Sequence, residues 1–224
     1  MQTLSRRSFL LASLGVASLC LAGCGSGASG SASTSAASAS AVPSSSASSC
    51  VTSALGEYAS GTHHATIEVE GYGAIKLELD ADVAPVTVAN FAKLAGEGFY
   101  DGLTFHRIIE GFMVQGGDPN GNGTGGSDEK IVGEFSDNGH PNSISHVRGT
   151  ISMARSQAYN SASSQFFIMQ ADTPSLDGQY AAFGHVTEGT DVVDAMCEAA
   201  RPTDNNGTIA AADQPRIASV KMDD

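Results

Sequence analysis

The sequence predicts a mainly β domain, an antiparallel barrel or sandwich carrying two helices. Three observations predict it. Apolar and charged residues alternate from Ala65 to Leu79, and short apolar runs broken by glycine continue to Val186. Only two segments repeat apolar residues at the spacing of a helix. No long helical crossover links successive runs, as a parallel sheet would require.

Each element follows from a local pattern. Ala65-Thr66-Ile67-Glu68-Val69-Glu70 and Ala74-Ile75-Lys76-Leu77-Glu78-Leu79 set apolar side chains on one face and charges on the other. With Gly71-Tyr72-Gly73 between them they read as a hairpin. Ala84-Pro85 then opens a helix, with Val88, Phe91, Ala92, Leu94 and Ala95 on its apolar face and Gly96 to Gly98 at its end. Further strands are expected at Thr104 to Ile109, Phe112 to Gln115, Gly149 to Met153, Gln165 to Gln170, Ala181 to Val186 and Arg216 to Met222. The second helix is expected over Asp191 to Cys197 with Thr190 as its N-cap. Gly116 to Gly126 reads as a loop. Its Gly121-Asn122-Gly123-Thr124-Gly125-Gly126 matches a phosphate-binding glycine motif by letter only, because no helix follows to aim amides at an anion.

Three regions divide the chain. Residues 1–23 begin with Arg6 and Arg7, continue through an apolar run and end Leu21-Ala22-Gly23 before Cys24, which is the layout of a signal peptide. Ser5-Arg6-Arg7-Ser8-Phe9-Leu10 resembles a twin-arginine export signal, and Leu21-Ala22-Gly23-Cys24 resembles a lipobox in which the Cys24 thiol is lipidated. Both place the protein outside the cytoplasm, and the lipobox would anchor it to a bacterial membrane through Cys24. Residues 24–60 are a spacer: every position from 25 to 50 is Ser, Ala or Gly except Thr34, Val42, Pro43 and Cys50, a composition that builds no core. Residues 61–224 are left as one compact domain. Cys50 and Cys197 are expected as free thiols.

Charge excludes one class of partner. The chain carries 11 Lys plus Arg against 24 Asp plus Glu, a net charge of −13, and its basic residues are scattered singly, so nucleic acid is not an expected partner. The histidines His63, His64, His106, His140, His146 and His185 lack the paired spacing of a metal site. A hydrolase reading finds no nucleophile elbow. No metal or other cofactor is expected, and a monomer is the simplest state.

The chemistry-bearing stretch is Phe105-His106-Arg107-Ile108-Ile109-Glu110-Gly111-Phe112-Met113-Val114-Gln115-Gly116-Gly117-Asp118. Strand parity sets Arg107 opposite to His106 unless the strand is bulged. Ser164-Gln165-Phe166-Phe167-Ile168 pairs Gln165 with Phe167 on one face and sends Phe166 to the core. An arginine, amides and large apolar groups can thus meet in one exposed groove.

Four blocks, Phe105 to Asp118, Gly149 to Ala154, Ser164 to Ile168 and Leu176-Asp177-Gly178-Gln179-Tyr180-Ala181-Ala182-Phe183-Gly184, resemble the signature blocks of cyclophilins, the peptidyl-prolyl cis-trans isomerases. The resemblance runs from His64 to Met222. It implies a closed eight-stranded antiparallel β-barrel capped by two helices and a substrate of proline-containing segments, which the export signal would place in exported proteins. It also implies Arg107 as the catalytic residue and a proline pocket of Phe112, Met113, Phe167 and Leu176 bordered by Tyr180. Gln115 and Gln165 would contact the peptide, and the backbone near Ala154 and Arg155 would hydrogen-bond it. The alternative within the same resemblance is a proline-segment-binding chaperone or adaptor with weak catalysis. Departures are Arg155 where the family usually has Asn, Glu110 for a common Pro, and Ser175 where many eukaryotic members have Trp, which implies weak cyclosporin binding.

Overall fold

The computed structural model describes residues 50–53 and 56–224. The export signal read in residues 1–23, the lipidation of Cys24 and most of the spacer lie outside the described residues. The spacer drawn to residue 60 gives its last residues to the folded unit. Val51 bridges Ile131, with Val51 N–H donating to Lys130 O at 2.7 Å and Val132 N–H to Val51 O at 2.9 Å. A 3₁₀ turn at Glu57–Ala59 follows.

The expected hairpin forms from Thr62–Val69 (β1) and Gly73–Asp80 (β2), in register at Ala65 with Leu77 and Ile67 with Ile75. Alternation does the work: Ala65, Ile67, Val69, Ile75, Leu77 and Leu79 are all buried, while the charges between them face outward. Thr104–Ile109 (β3), Met113–Asp118 (β4), Thr150–Met153 (β5), Phe166–Met169 (β6), Ala182–Glu188 (β7) and Ile217–Met222 (β8) complete one eight-stranded antiparallel sheet. Its order is β3-β4-β6-β5-β7-β2-β1-β8.

The sheet is a curled half-barrel, which corrects the expected closed barrel. Its end strands β3 and β8 share no ladder. The chain just before β8 approaches β3 at one bridge between Thr104 and Arg216, with Phe105 N–H donating to Pro215 O at 2.9 Å and Ile217 N–H to Leu103 O at 2.8 Å. Pro215, beside that bridge, has no N–H to donate to a ladder, and β3 shifts register against β4 between Thr104 and Arg107.

Pro85–Gly96 forms the first helix (α1) with Pro85 in its first turn, as expected. Its cap comes from elsewhere. Ala84 has no side-chain acceptor, and the buried Glu134 carboxylate takes Val86 N–H at 3.0 Å, Thr87 N–H at 2.8 Å and the Thr87 hydroxyl at 2.7 Å. A charge that would be costly to bury thus meets the orphan donors and the positive end of the helix dipole. Phe91 projects from α1 into the core, 5.2 Å from the Tyr100 ring, 5.7 Å from Phe166 and 5.4 Å from Phe183. The second helix (α2) is Thr190–Ala199, packed on β2, β3 and β4 through Val192, Val193, Met196 and Cys197. Thr190 is not its N-cap. Gly189 holds that place at φ 91°, a left-handed turn that threonine would resist, and Thr190 begins the helix itself. Cys50 and Cys197 are both free thiols, and burial pushes Cys197 up to about 12.

Candidate active site

The site is built across four neighbouring strands by register. Arg107 on β3 faces Gln115 on β4, Gln115 faces Phe167 on β6, and Phe167 faces Ser152 on β5. Directly opposed residues share a face, so one row carries a cation, an amide and an aromatic ring. Two residues along, Ile109, Met113 and Met169 form a parallel apolar row. Met113, Phe167 and Met169, with Ile109, Phe112, Ala154, Leu176 and Tyr180 against them, make an apolar cluster separate from the main core. Phe166 goes the other way and is fully buried in the core beside Tyr100 and Phe105.

The row opens into a groove of about 420 Å³ lined by Arg107, Phe112, Met113, Gln115, Ala154, Arg155, Phe167, Leu176 and Tyr180. Gln165 is the one site residue expected from sequence that lies outside this lining. It borders a second cavity next to the groove. His106 lines the groove beside Arg107 because the bulge in β3 breaks strand parity there. Asn122, Gly123, Asn206 and Thr208 were not legible as site residues. Asn206 and Thr208 arrive from a loop pinned by Ile108 N–H donating to Gly207 O at 2.8 Å and Ile209 N–H to His106 O at 2.9 Å. A side chain at Gly207, whose φ is +84°, would collide with Ile109 and the Ile108 carbonyl. The Asn206-Gly207 pair was the only sequence signal of that close approach.

Arg107 is held without being neutralised. Its Nε donates to Asn206 O at 2.7 Å and its Nη1 to Gln115 Oε1 at 3.1 Å. The relay continues from Gln115 Nε2 to Gln165 Oε1 at 2.9 Å and from Gln165 Nε2 to Gly125 O at 2.8 Å. Each amide accepts on one side and donates on the other, so the chain fixes the orientation of both glutamines and of the guanidinium. Burial pulls the Arg107 pKa down from its ordinary value, yet guanidinium keeps its charge throughout the working range. Both partners are neutral, so the charge remains available to a ligand.

Neighbouring groups support the walls. His146 stacks on Phe167 with ring centres 6.0 Å apart, while Tyr180 meets Phe167 edge-on at 5.7 Å. His146 Nδ1 lies 2.9 Å from Asp177 Oδ1 and its Nε2 lies 3.1 Å from Ser152 Oγ, an Asp-His-Ser order. Ser152 is fully buried, so no substrate carbonyl reaches it, and the three residues brace Phe167. Burial keeps His146 below its ordinary pKa despite Asp177. Ala154 N–H is consumed by Gln165 O at 2.9 Å and is not free to bind a peptide. The glycine-rich loop also spends its amides internally: the Asp118 carboxylate accepts N–H donors from Asn120 at 2.8 Å, Asn122 at 3.0 Å and Gly123 at 2.5 Å. Burial alone would raise Asp118, but these donors hold it below the usual carboxylate range.

An open sheet-walled groove with an uncancelled cation beside an apolar floor suits a ligand that sets a polar group next to an apolar one. Comparison with known proteins narrows it. Residues 64–222 match the profile of the cyclophilin type peptidyl-prolyl cis-trans isomerase family, and the chain belongs to that family. It is 49% identical over 124 residues to a peptidyl-prolyl cis-trans isomerase of Synechococcus elongatus, covering 55% of this chain and 80% of that protein. A Helicobacter pylori peptidyl-prolyl cis-trans isomerase is 47% identical over 142 residues, 62% of this chain and 83% of the relative. A cyclophilin type peptidyl-prolyl cis-trans isomerase from Cryptosporidium parvum, crystallised in the presence of the dipeptide Ala-Pro, superposes with a TM-score of 0.63. That match is at 30% identity and covers 72% of this chain and 99% of that one. The enzyme class is therefore cyclophilin-type prolyl isomerase.

Proposed function

We propose that this chain is an exported, lipid-anchored prolyl isomerase that speeds the folding of proteins outside the cytoplasm, with Arg107 as its catalytic group. The observation that carries the reading is the Arg107 guanidinium, oriented by neutral partners at the edge of an apolar groove. Rotation about an X-Pro bond breaks no covalent bond and faces a barrier of about 18–20 kcal/mol from amide resonance. In the twisted transition state the proline nitrogen turns pyramidal and regains a lone pair. A fixed cation that donates a hydrogen bond to it favours that state over the planar ground state.

Phe112, Met113, Phe167 and Leu176 hold the pyrrolidine ring in this scheme, with Tyr180 at the border. Gln115 and Gln165 aim Arg107 as well as meeting the peptide, and Ala154 and Arg155 flank its backbone. An acceleration of ~10⁵-fold needs about 7 kcal/mol, within reach of one charge-assisted contact together with desolvation and positioning. Anchoring rests on the Leu21-Ala22-Gly23-Cys24 motif and on the Ser/Ala/Gly spacer that follows it. The Ala-Pro peptide named for the Cryptosporidium relative supports proline-containing segments as ligands.

Two measurements test the reading. Exchange spectroscopy on an Ala-Pro peptide with the purified chain should show accelerated cis-trans exchange, and peptide binding without acceleration would instead make it a recognition module. Fractionation of cells should find the native chain with the membrane and Cys24→Ser in the soluble fraction. Equal membrane retention of both would remove the lipid anchor.

A further inference from the structure

The walls of the groove are held in different ways. Phe167 is braced by His146 and Tyr180, and Arg107 by Asn206 and Gln115. Phe112 instead ends the tight turn that joins β3 to β4, closed by Phe112 N–H donating to Ile109 O at 3.0 Å with Gly111 at φ 75°. A Cβ built on Gly111 would meet nothing within 4 Å, so that side of the turn is open. Hairpin tips are among the first parts of a sheet to open, yet this one carries a wall of the groove.

Gln170, just past the end of β6, holds that tip twice. Its backbone N–H donates to Phe112 O at 2.8 Å, and its side-chain Oε1 accepts Gly111 N–H at 2.6 Å. The other end of the amide, Nε2, donates to Asp194 Oδ1 on α2 at 3.2 Å. An amide has one accepting and one donating end, so the carboxylate turns Oε1 toward Gly111. Asp194 is itself fixed. Arg148 Nη1 and Nη2 donate to its two oxygens at 2.8 and 2.6 Å, and Nη1 also donates to Gln170 O at 2.9 Å. Hydrogen bonds from Arg148 hold Asp194 below the usual carboxylate range against the effect of burial, so it stays an acceptor at neutral pH. The ion pair is 43% and 35% exposed and adds little stability; its two-point geometry serves to orient. Val192, Val193, Met196 and Cys197 root α2 in the core, so the carboxylate stands on a rigid base.

We propose that Gln170 is a positioning residue of the isomerase, which carries the fixed orientation of Asp194 to the Gly111 turn and so keeps the Phe112 ring against the substrate proline. The inference rests on the isomerase reading of the groove. Phe112 grips the proline ring in the ground state and the transition state alike, whereas Arg107 acts on the twisted amide. A loosened turn therefore weakens substrate binding and leaves the chemical step unchanged.

The test compares the full chain with Gln170→Ala, Asp194→Ala and the double variant, reading kcat and KM on an Ala-Pro peptide and hydrogen exchange at the Gly111 amide. Gln170→Ala should raise KM about three- to tenfold with kcat within about twofold of native, and the Gly111 amide should lose protection. Asp194→Ala should shift both in the same direction by no more than Gln170→Ala does. The double variant should match Gln170→Ala alone, because the two residues act along one path. A variant that merely folds less well would instead lose apparent kcat at native KM. Native KM in either single variant, a loss confined to kcat, intact Gly111 protection in Gln170→Ala, or additive effects in the double variant would overturn the proposal. If the native chain fails to speed exchange, the isomerase reading falls, and the ratio of peptide affinities between native and Gln170→Ala still decides whether Gln170 sets the wall.

Discussion

Arg107 and Glu134 show how one charge is treated differently according to its task. Glu134 is buried and spends both oxygens on a helix end, whereas Arg107 is fixed by neutral oxygens and keeps its charge for a ligand. Arg107→Lys should therefore lose most of the activity, about tenfold or more in kcat/KM, because an ammonium cannot hold both anchors and still donate. Near-native turnover of this variant would show that a point charge suffices. Histidines give a second prediction. His106 is buried with neither ring nitrogen hydrogen-bonded, facing Arg107 and Asp118, and burial lowers its pKa more than Asp118 raises it. His146 is lowered by burial in the same way. Their folded-state values lie below those of the unfolded chain, so the unfolded state gains protons first on acidification. Stability is full above about pH 6.5 and falls as pH drops from there toward the folded values. Thermal melts from pH 7.5 to 5 should show a falling midpoint that is less steep in His106→Gln, and a flat profile would contradict it.

At the scale of elements, strands and helices were legible because alternation and helical spacing are local properties. Departures from the sequence reading came where contacts between distant segments decide. The cap of α1 was invisible because Glu134 lies far along the chain from Val86 and Thr87. The bulge in β3 puts His106 and Arg107 on one groove against simple parity, a consequence of pairing with both β4 and the 207–209 segment. Glu134→Ala should cost about 2–3 kcal/mol in denaturant unfolding, since it orphans two helix donors in a buried place. A loss below about 0.5 kcal/mol would mean that water replaces the carboxylate. Gly184 on β7 lies so close to β2 that an added Cβ would strike Glu78 O. Gly184→Ala is expected to destabilise by about 3 kcal/mol through separation of the two strands, read from the same unfolding curves.

Across the whole molecule, the blocks that mark the family are the segments that register brings into one row. This is why the groove was nearly legible and its far rim was not. Phe105 to Asp118 and Ser164 to Ile168 carry Arg107, Gln115 and Phe167 on three adjacent strands. Asn206 and Thr208 come from an irregular loop with no periodic signal. Closure was overestimated for a similar reason: the number and sense of the strands follow from patterning, but whether the end strands pair depends on contacts between segments far apart in the chain, where only the Thr104–Arg216 bridge forms. The three scales meet in a sheet that holds one uncancelled cation beside an apolar floor. Two-dimensional exchange NMR on a single Ala-Pro peptide with the native chain and Arg107→Ala, with peptide affinity measured in parallel, probes that cation's role. Catalysed exchange should fall by about 10²–10³-fold with affinity changed by less than about tenfold. Exchange in Arg107→Ala at the native rate, or a loss explained wholly by weaker binding, would contradict it.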